Sequence, residues 1–205
     1  MQSFTIDSQT LYRGLAAVTI SKGTDKYRPL LEAVRVEIDY PGFLRFVATD
    51  SYRMAIADVK IDNMAFECSE NKVLEPFNLA GDFKPLLTML KADKQFARVI
   101  VEERTVIVCV GIGAQVALDR LEGTFPDYRQ IINDVKWSKE NQECAYNPAF
   151  MGDIGKAAMI FCNETRRNAT TPVRISNGGK DRPSWFSVAY EKDTLEQWLM
   201  PVRVS

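Results

Sequence analysis

The chain has 205 residues and no histidine, and its remaining reactive side chains are poorly spaced for catalysis. Without an imidazole, the common triads and acid–base pairs lack their usual proton carrier. Glu102 and Glu103 are adjacent in an extended stretch, so their carboxylates point to opposite faces. Cys68, Cys109, Cys144 and Cys162 are far apart and have no metal-site spacing. Gly111-Ile112-Gly113 and Gly178-Gly179 are isolated pairs where turns are expected, not phosphate loops. No acidic cluster has the spacing for metal-assisted phosphoryl transfer. The expected chemistry is therefore binding, with no catalytic residue, metal or cofactor.

Two kinds of residue suit binding. In Phe46-Val47-Ala48-Thr49-Asp50-Ser51-Tyr52-Arg53-Met54-Ala55 an apolar strand enters a Thr-Asp-Ser turn and leaves as a second strand. Such side chains bond nearby backbone and close a turn without a helix. The second kind is basic. Lys84 and Lys91 are seven residues apart and share a helix face opposite Leu86 and Leu90, and Lys94 extends the stripe. Arg13, Ala16 and Ala17 lie opposite Leu11, Leu15 and Val18; Lys156 and Gly152 lie opposite Phe150, Ile154, Ala157 and Phe161; Arg166 and Arg167 follow. Asp93 and Asp153 interrupt this basic pattern.

The elements that must position these residues recur three times as strand, helix, three strands. The first unit places Phe4-Thr5-Ile6 before a helix from about Ser8, its N-cap, to Val18, with strands at Ala33–Ile38, Leu44–Ala48 and Arg53–Val59. The second runs from a strand at Val73–Leu79 to a helix over Asp82–Leu90 and strands at Ala97–Val101, Thr105–Val110 and Ala114–Leu118. The third has a strand at Glu143–Tyr146, a helix over Pro148–Phe161 capped by Asn147, and strands at Pro172–Ser176, Trp185–Ala189 and Gln197–Val202. One unit cannot bury its helix alone, but two side by side make a two-layer α+β domain with helices on one face of an antiparallel sheet.

Composition fits. With 46% hydrophobic residues the chain can build a core, and its formal net charge of −1 allows nucleic-acid contact only through a local basic surface. Cys109, in a Val-rich strand, reads as a small buried hydrophobe. The thiols are expected to be reduced, Met1–Asp7 has no leader pattern, and no apolar run spans a bilayer, so a cytoplasmic protein with no membrane association is expected.

Three segments, in order, resemble the bacterial DNA polymerase III beta subunit (sliding clamp) family: Phe46–Ala55, Leu121-Glu122-Gly123 with Phe125-Pro126-Asp127-Tyr128-Arg129-Gln130-Ile131-Ile132, and Leu199-Met200-Pro201-Val202-Arg203-Val204. The resemblance implies a DNA-clamp fold. Residues 1–135 correspond to a complete middle domain of two units, and 141–205 to the second half of the C-terminal domain. That makes three units where the usual subunit has six.

The resemblance further implies a non-enzymatic processivity factor that encircles double-stranded DNA and tethers a DNA polymerase or clamp-loader-type protein through short peptide motifs. Arg13, Lys84, Lys91, Lys94, Lys156, Arg166 and Arg167 are the implied DNA-facing residues. The implied peptide pocket comprises Leu31, Thr49, Ser51, Tyr52, Arg53, Met54, Asn133, Asn147, Phe150, Trp198, Met200, Pro201, Val202 and Arg203, with Trp198 bulkier than is usual there. Twelve units close the family's ring, so three per chain would take four copies (4 × 3 = 12), and a homo-oligomer is expected. In it, two third units would pair to complete a domain. The alternative is a clamp-like adaptor or decoy that binds the same peptides without enclosing DNA.

Overall fold

Asp7 ends the first strand and starts the first helix. Its Oδ1 accepts hydrogen bonds from the Thr10 backbone N–H at 2.7 Å and from the Thr10 hydroxyl at 2.8 Å, which satisfies an otherwise orphan donor of the first turn. The cap is thus Asp7 and not Ser8, whose hydroxyl instead donates to Asp93 at 2.5 Å. The same logic starts the other two long helices: Asp82 accepts from the Lys84 N–H and Asn147 from the Ala149 N–H, each at 2.9 Å.

The computed structural model describes residues 2–39, 42–61, 66–68, 75–133 and 144–202. The first unit contains β1 (Gln2–Asp7), α1 (Ser8–Thr19), a 3-10 turn (Pro29–Glu32), β2 (Val34–Asp39), β3 (Phe43–Thr49) and β4 (Arg53–Lys60). A short β5 (Phe66–Cys68) leads toward β6 (Phe77–Ala80), α2 (Phe83–Ala92), β7 (Phe96–Val101), β8 (Thr105–Val110) and β9 (Ala114–Leu121). After α3 (Tyr128–Asn133) come α4 (Pro148–Phe161), β10 (Arg174–Ser176), β11 (Ser184–Tyr190) and β12 (Asp193–Leu199). Every pairing between these strands is antiparallel, and together they form one twelve-stranded sheet, ordered β10-β11-β12-β4-β3-β2-β6-β9-β8-β7-β1-β5. The fold is the α+β arrangement expected from the repeat.

The first two units exchange their leading strands. β1 pairs with β7 of the second unit, and β6 pairs with β2 of the first. The third unit joins differently: its last strand, β12, pairs along the last strand of the first unit, from Thr194↔Asp58 to Leu199↔Arg53. Buried Asp193 anchors this junction by accepting from the Lys60 backbone N–H at 2.7 Å and from Arg13 at 2.8 Å.

α1 lies between α2 and α4 and over the sheet. Gly14 is what lets it sit so low, because a Cβ there would meet the Phe46 ring at 2.8 Å and Val59 at 3.1 Å. Small Ala48, Ala55 and Ala57 lie in the same core. The other side of this sheet region is also covered: Val47, Met54 and Ile56 alternate away from those alanines and pack with Phe125, Tyr128 and Trp198. Around Val47 and Ile56, β3 and β4 are therefore buried on both faces, with α1 on one and the α3 segment on the other, and the Arg45–Asp58 ion pair lies on the same outward face.

Several expectations change. The α1 face with Ala16 and Ala17 is buried, because neighbouring helices flank it on both sides. The last strand is Asp193–Leu199 and ends before Pro201, and Ala145 makes an isolated bridge to Val202 instead of belonging to a strand. Part of the expected strand at Val73–Leu79 lies outside the described residues, and β6 begins at Phe77. Cys109 is half-buried, as are Thr105 and Ile107 on the same side of β8, while Val106, Val108 and Val110 fill the core. The 3-10 turn, β5 and α3 carried no clear periodic signal. Among the described residues no helix is long and apolar enough to cross a membrane.

Candidate functional site

The Thr49–Arg53 turn is held by its own side chains. Asp50 Oδ1 accepts from the Tyr52 and Arg53 backbone N–H groups, each at 2.9 Å, and the Thr49 hydroxyl donates to the Arg53 carbonyl at 2.8 Å. Ser51 adopts φ 79°, and its hydroxyl accepts from Arg28 at 3.1 Å. The Met200 N–H donates to the Tyr52 carbonyl at 2.9 Å, which ties the segment after β12 to this turn.

These contacts enclose an apolar pocket of about 250 Å³. Leu31, Thr49, Ser51, Tyr52, Arg53, Met54, Trp198 and Met200 line it, all of them expected from the sequence. Pro126, Tyr128, Ile131 and Pro183 complete the lining. Pro126, Tyr128 and Ile131 belong to the Phe125–Ile132 segment that carried the resemblance, so that segment could have supplied them. Pro183 lies in a loop with no periodic pattern to flag it.

The outward row Trp185, Trp198, Met54 and Thr49 crosses three strand pairings, and the two indole rings lie 6.5 Å apart. Trp198 is buried and forms part of the wall, whereas Tyr52, Ile131 and Met200 are exposed at the rim. An apolar cleft of this size suits large side chains of an extended peptide.

The other expected pocket residues are placed around it. Phe150 lies beneath Arg53, whose guanidinium carbon is 4.4 Å from the ring centroid. Asn147 caps α4, Asn133 ends α3 in an exposed position, and Val202 bridges Ala145. None of these, nor Pro201, lines the cleft. Arg203 lies outside the described residues.

Arg53 is not a free cation. It bonds Asp50 at 2.9 Å and Asp153 of α4 at 2.5 Å while stacking on Phe150. The node fastens the pocket's turn to the third unit by charge-assisted bonds and a cation–π contact.

A second network seats α3. Buried Glu37 accepts from the Tyr128 hydroxyl at 2.9 Å and Arg35 at 3.2 Å, and also from Arg129. Burial pushes the Glu37 carboxyl toward protonation, but these donors outweigh it and hold its pKa below the ordinary value. Burial also raises the Tyr128 phenol.

On the opposite side, α1, α2 and α4 border an open groove of about 470 Å³. Lys84, Lys91 and Lys156 line it together with Lys22, Tyr12, Thr19 and Thr88. Lys22 follows α1 and so falls outside the helix periodicity that marks Lys84, Lys91 and Lys156. Lys94, Arg166 and Arg167 are exposed but lie beyond the groove's lining. Arg13 is different: it bonds Asp193, stacks on Tyr190 at 4.7 Å and has a side chain only 12% exposed. Packing of α1 against the β11–β12 turn makes this expected surface cation an internal fastener. The two acids that interrupted the basic stripe are also engaged, Asp93 with Ser8 and Asp153 with Arg53.

The pattern matches known proteins. The family model for the DNA polymerase III beta subunit, central domain, matches residues 5–127. The Bacillus subtilis DNA polymerase sliding clamp is similar over 99% of this chain and 64% of its own, at 17% identity and a TM-score of 0.73. The Pseudomonas aeruginosa clamp, crystallised with a ligand, is 14% identical over 98% of this chain and 66% of its own, with a TM-score of 0.73. The Thermotoga maritima DNA polymerase III beta subunit is 16% identical over 100% of this chain and 66% of its own, with a TM-score of 0.71. The chain thus spans just under two thirds of the length of these clamps. No curated protein matches it. With the sliding-clamp fold along nearly its whole length and the central-domain match over residues 5–127, the chain belongs to the DNA polymerase III beta subunit family.

Proposed function

We propose that this chain is a sliding-clamp-type replication factor, not an enzyme, and that several copies encircle double-stranded DNA while capturing partner peptides. The observation that carries this reading is the pairing of two unlike surfaces across one sheet. The lysine-lined groove among the helices suits screened, sequence-independent phosphate contacts. The apolar pocket on the other side suits a short motif from a polymerase or loader. In this reading residues 1–135 act as a complete domain and 141–205 as half of one, completed by another copy.

The test uses nicked circular DNA. Protein assembled on circles should resist a salt wash that removes open contacts and should slip off after linearisation. Substituting Lys84, Lys91 and Lys156 by Glu should weaken loading and leave folding nearly unchanged, since exposed charges contribute little stability. Equal retention on circular and linear DNA would overturn encirclement. Peptide binding without retention would favour the adaptor reading.

A further inference from the structure

Trp185 and Trp198 stand opposite each other across the β11–β12 pairing, and each lines a different hollow on the outward side of the sheet. Trp198 lines the apolar pocket. Trp185 lines a second cleft of about 240 Å³ on the third unit, together with Arg174 of β10, Ser187 of β11, and Thr194 and Glu196 of β12. The indole pair is thus a common wall, and the cleft continues the pocket back along β12.

Glu196 gives the cleft its chemistry. It lies two residues before Trp198 on one strand, so both side chains leave the same face. It is half-buried, and among the described residues it has neither an ion-pair nor a hydrogen-bond partner. The nearby carboxylate of Asp58, on β4, is already taken by Arg45 at 2.7 Å. A carboxylate that shares a cleft with an indole, partly withdrawn from water, favours a cation. It supplies the opposite charge, and the ring face adds a cation–π attraction. The Ser187 hydroxyl, opposite Glu196 in the ladder, can accept a further N–H of an ammonium or guanidinium group. Arg174 works against a cation, but it is exposed at the outer rim, where solvent and salt screen it.

We infer that this cleft takes a lysine or arginine side chain of the same extended peptide whose large apolar residue fills the pocket. The spacing follows from the strand. Glu196 and Trp198 are about 7 Å apart along β12. A peptide extended beside them turns every second side chain toward the sheet, so its basic residue stands two positions from its apolar one. Continuity of the two hollows identifies the occupant, because a chain anchored against Trp198 and running along β12 passes over Glu196. This deepens the peptide-capture reading, on which it rests, by naming the charge and spacing of the peptides that bind best.

Three labelled peptides test it. Each carries one Phe in an otherwise uncharged polar chain, with Lys, Ser or Glu at the second position on both sides, so either chain direction is covered. Fluorescence polarisation with the 205-residue chain should rank Lys above Ser above Glu. The Lys peptide should bind about tenfold more tightly than the Glu peptide, since attraction is exchanged for repulsion of similar size. Added salt should narrow that gap. Glu196→Gln keeps the side chain's shape and should erase the ranking, with circular dichroism near wild type, and Glu196→Lys should reverse it. Glu103→Gln, in the β7–β8 turn, removes the same charge elsewhere and should leave the ranking intact. Equal affinity for the Lys and Ser peptides, or a ranking that survives Glu196→Gln, would overturn the inference and leave the pocket standing. Failure of all three peptides to bind would overturn the pocket reading and this inference with it.

Discussion

At the scale of single residues, two charges shape the pocket without being offered to a ligand. Arg53 lies between Asp50, Asp153 and Phe150. Arg53→Ala should weaken binding of an apolar clamp-type peptide in fluorescence polarisation. It should also lower stability to chemical denaturation by about 1–2 kcal/mol. Charge-assisted bonds contribute somewhat more than this, but the partial exposure of Asp153 reduces their worth. Unchanged stability would show that the node is not a fastener. Glu37 does the equivalent for α3. Its folded pKa is depressed, so the stabilisation it supplies is complete above the ordinary glutamate value of 4.5 and is lost as pH falls through the folded value. Glu37→Gln should therefore be less stable than wild type at neutral pH, and the gap should close in acid. Thermal melts across that range check the sign.

At the scale of elements, α1 holds the molecule together. It contacts α2, α4 and the sheet, and its low seat over Phe46 depends on Gly14. Gly14→Ala would improve helix propensity by up to about 1 kcal/mol. The new methyl would nonetheless press on a buried ring, and overpacking costs about 1–3 kcal/mol. The net expectation is a loss of about 1 kcal/mol, read as a lower Tm; a raised Tm would mean that Phe46 yields freely. The helix also explains why one cation left the surface. The Arg13 guanidinium, between α1 and β12, is drawn to the Asp193 carboxylate, and the pair locks the third unit onto the first.

At the scale of the whole molecule, the two proposed surfaces lie on opposite sides of one sheet and should be separable. The described residues after Leu199 line the pocket through Met200 and bridge Ala145 through Val202, and none of them lines the lysine groove. A chain ending at Leu199 should lose peptide binding and keep its retention on circular DNA. Loss of both would show that the segment supports the junction of the third unit and not the pocket alone.

Local chemistry made much of this legible in the sequence. Capping residues, two-residue alternation and the thrice-repeated strand–helix order depend on neighbours a few positions apart, so the long helices and most strands fall close to their expected bounds. The Thr49–Arg53 turn was visible for the same reason, because its bonds are made within five residues. Of the eight lining residues expected from the sequence, six lie in the three quoted segments, and Leu31 and Trp198 lie outside them. What tertiary structure alone decided was the fate of each charge and face. Arg13 and Arg53 look like free cations in sequence, and only packing brings Asp193 and Asp153 to them. Ala16 and Ala17 look like a solvent face until two helices close over α1. Those outcomes depend on contacts between residues distant in the chain, which no local pattern encodes.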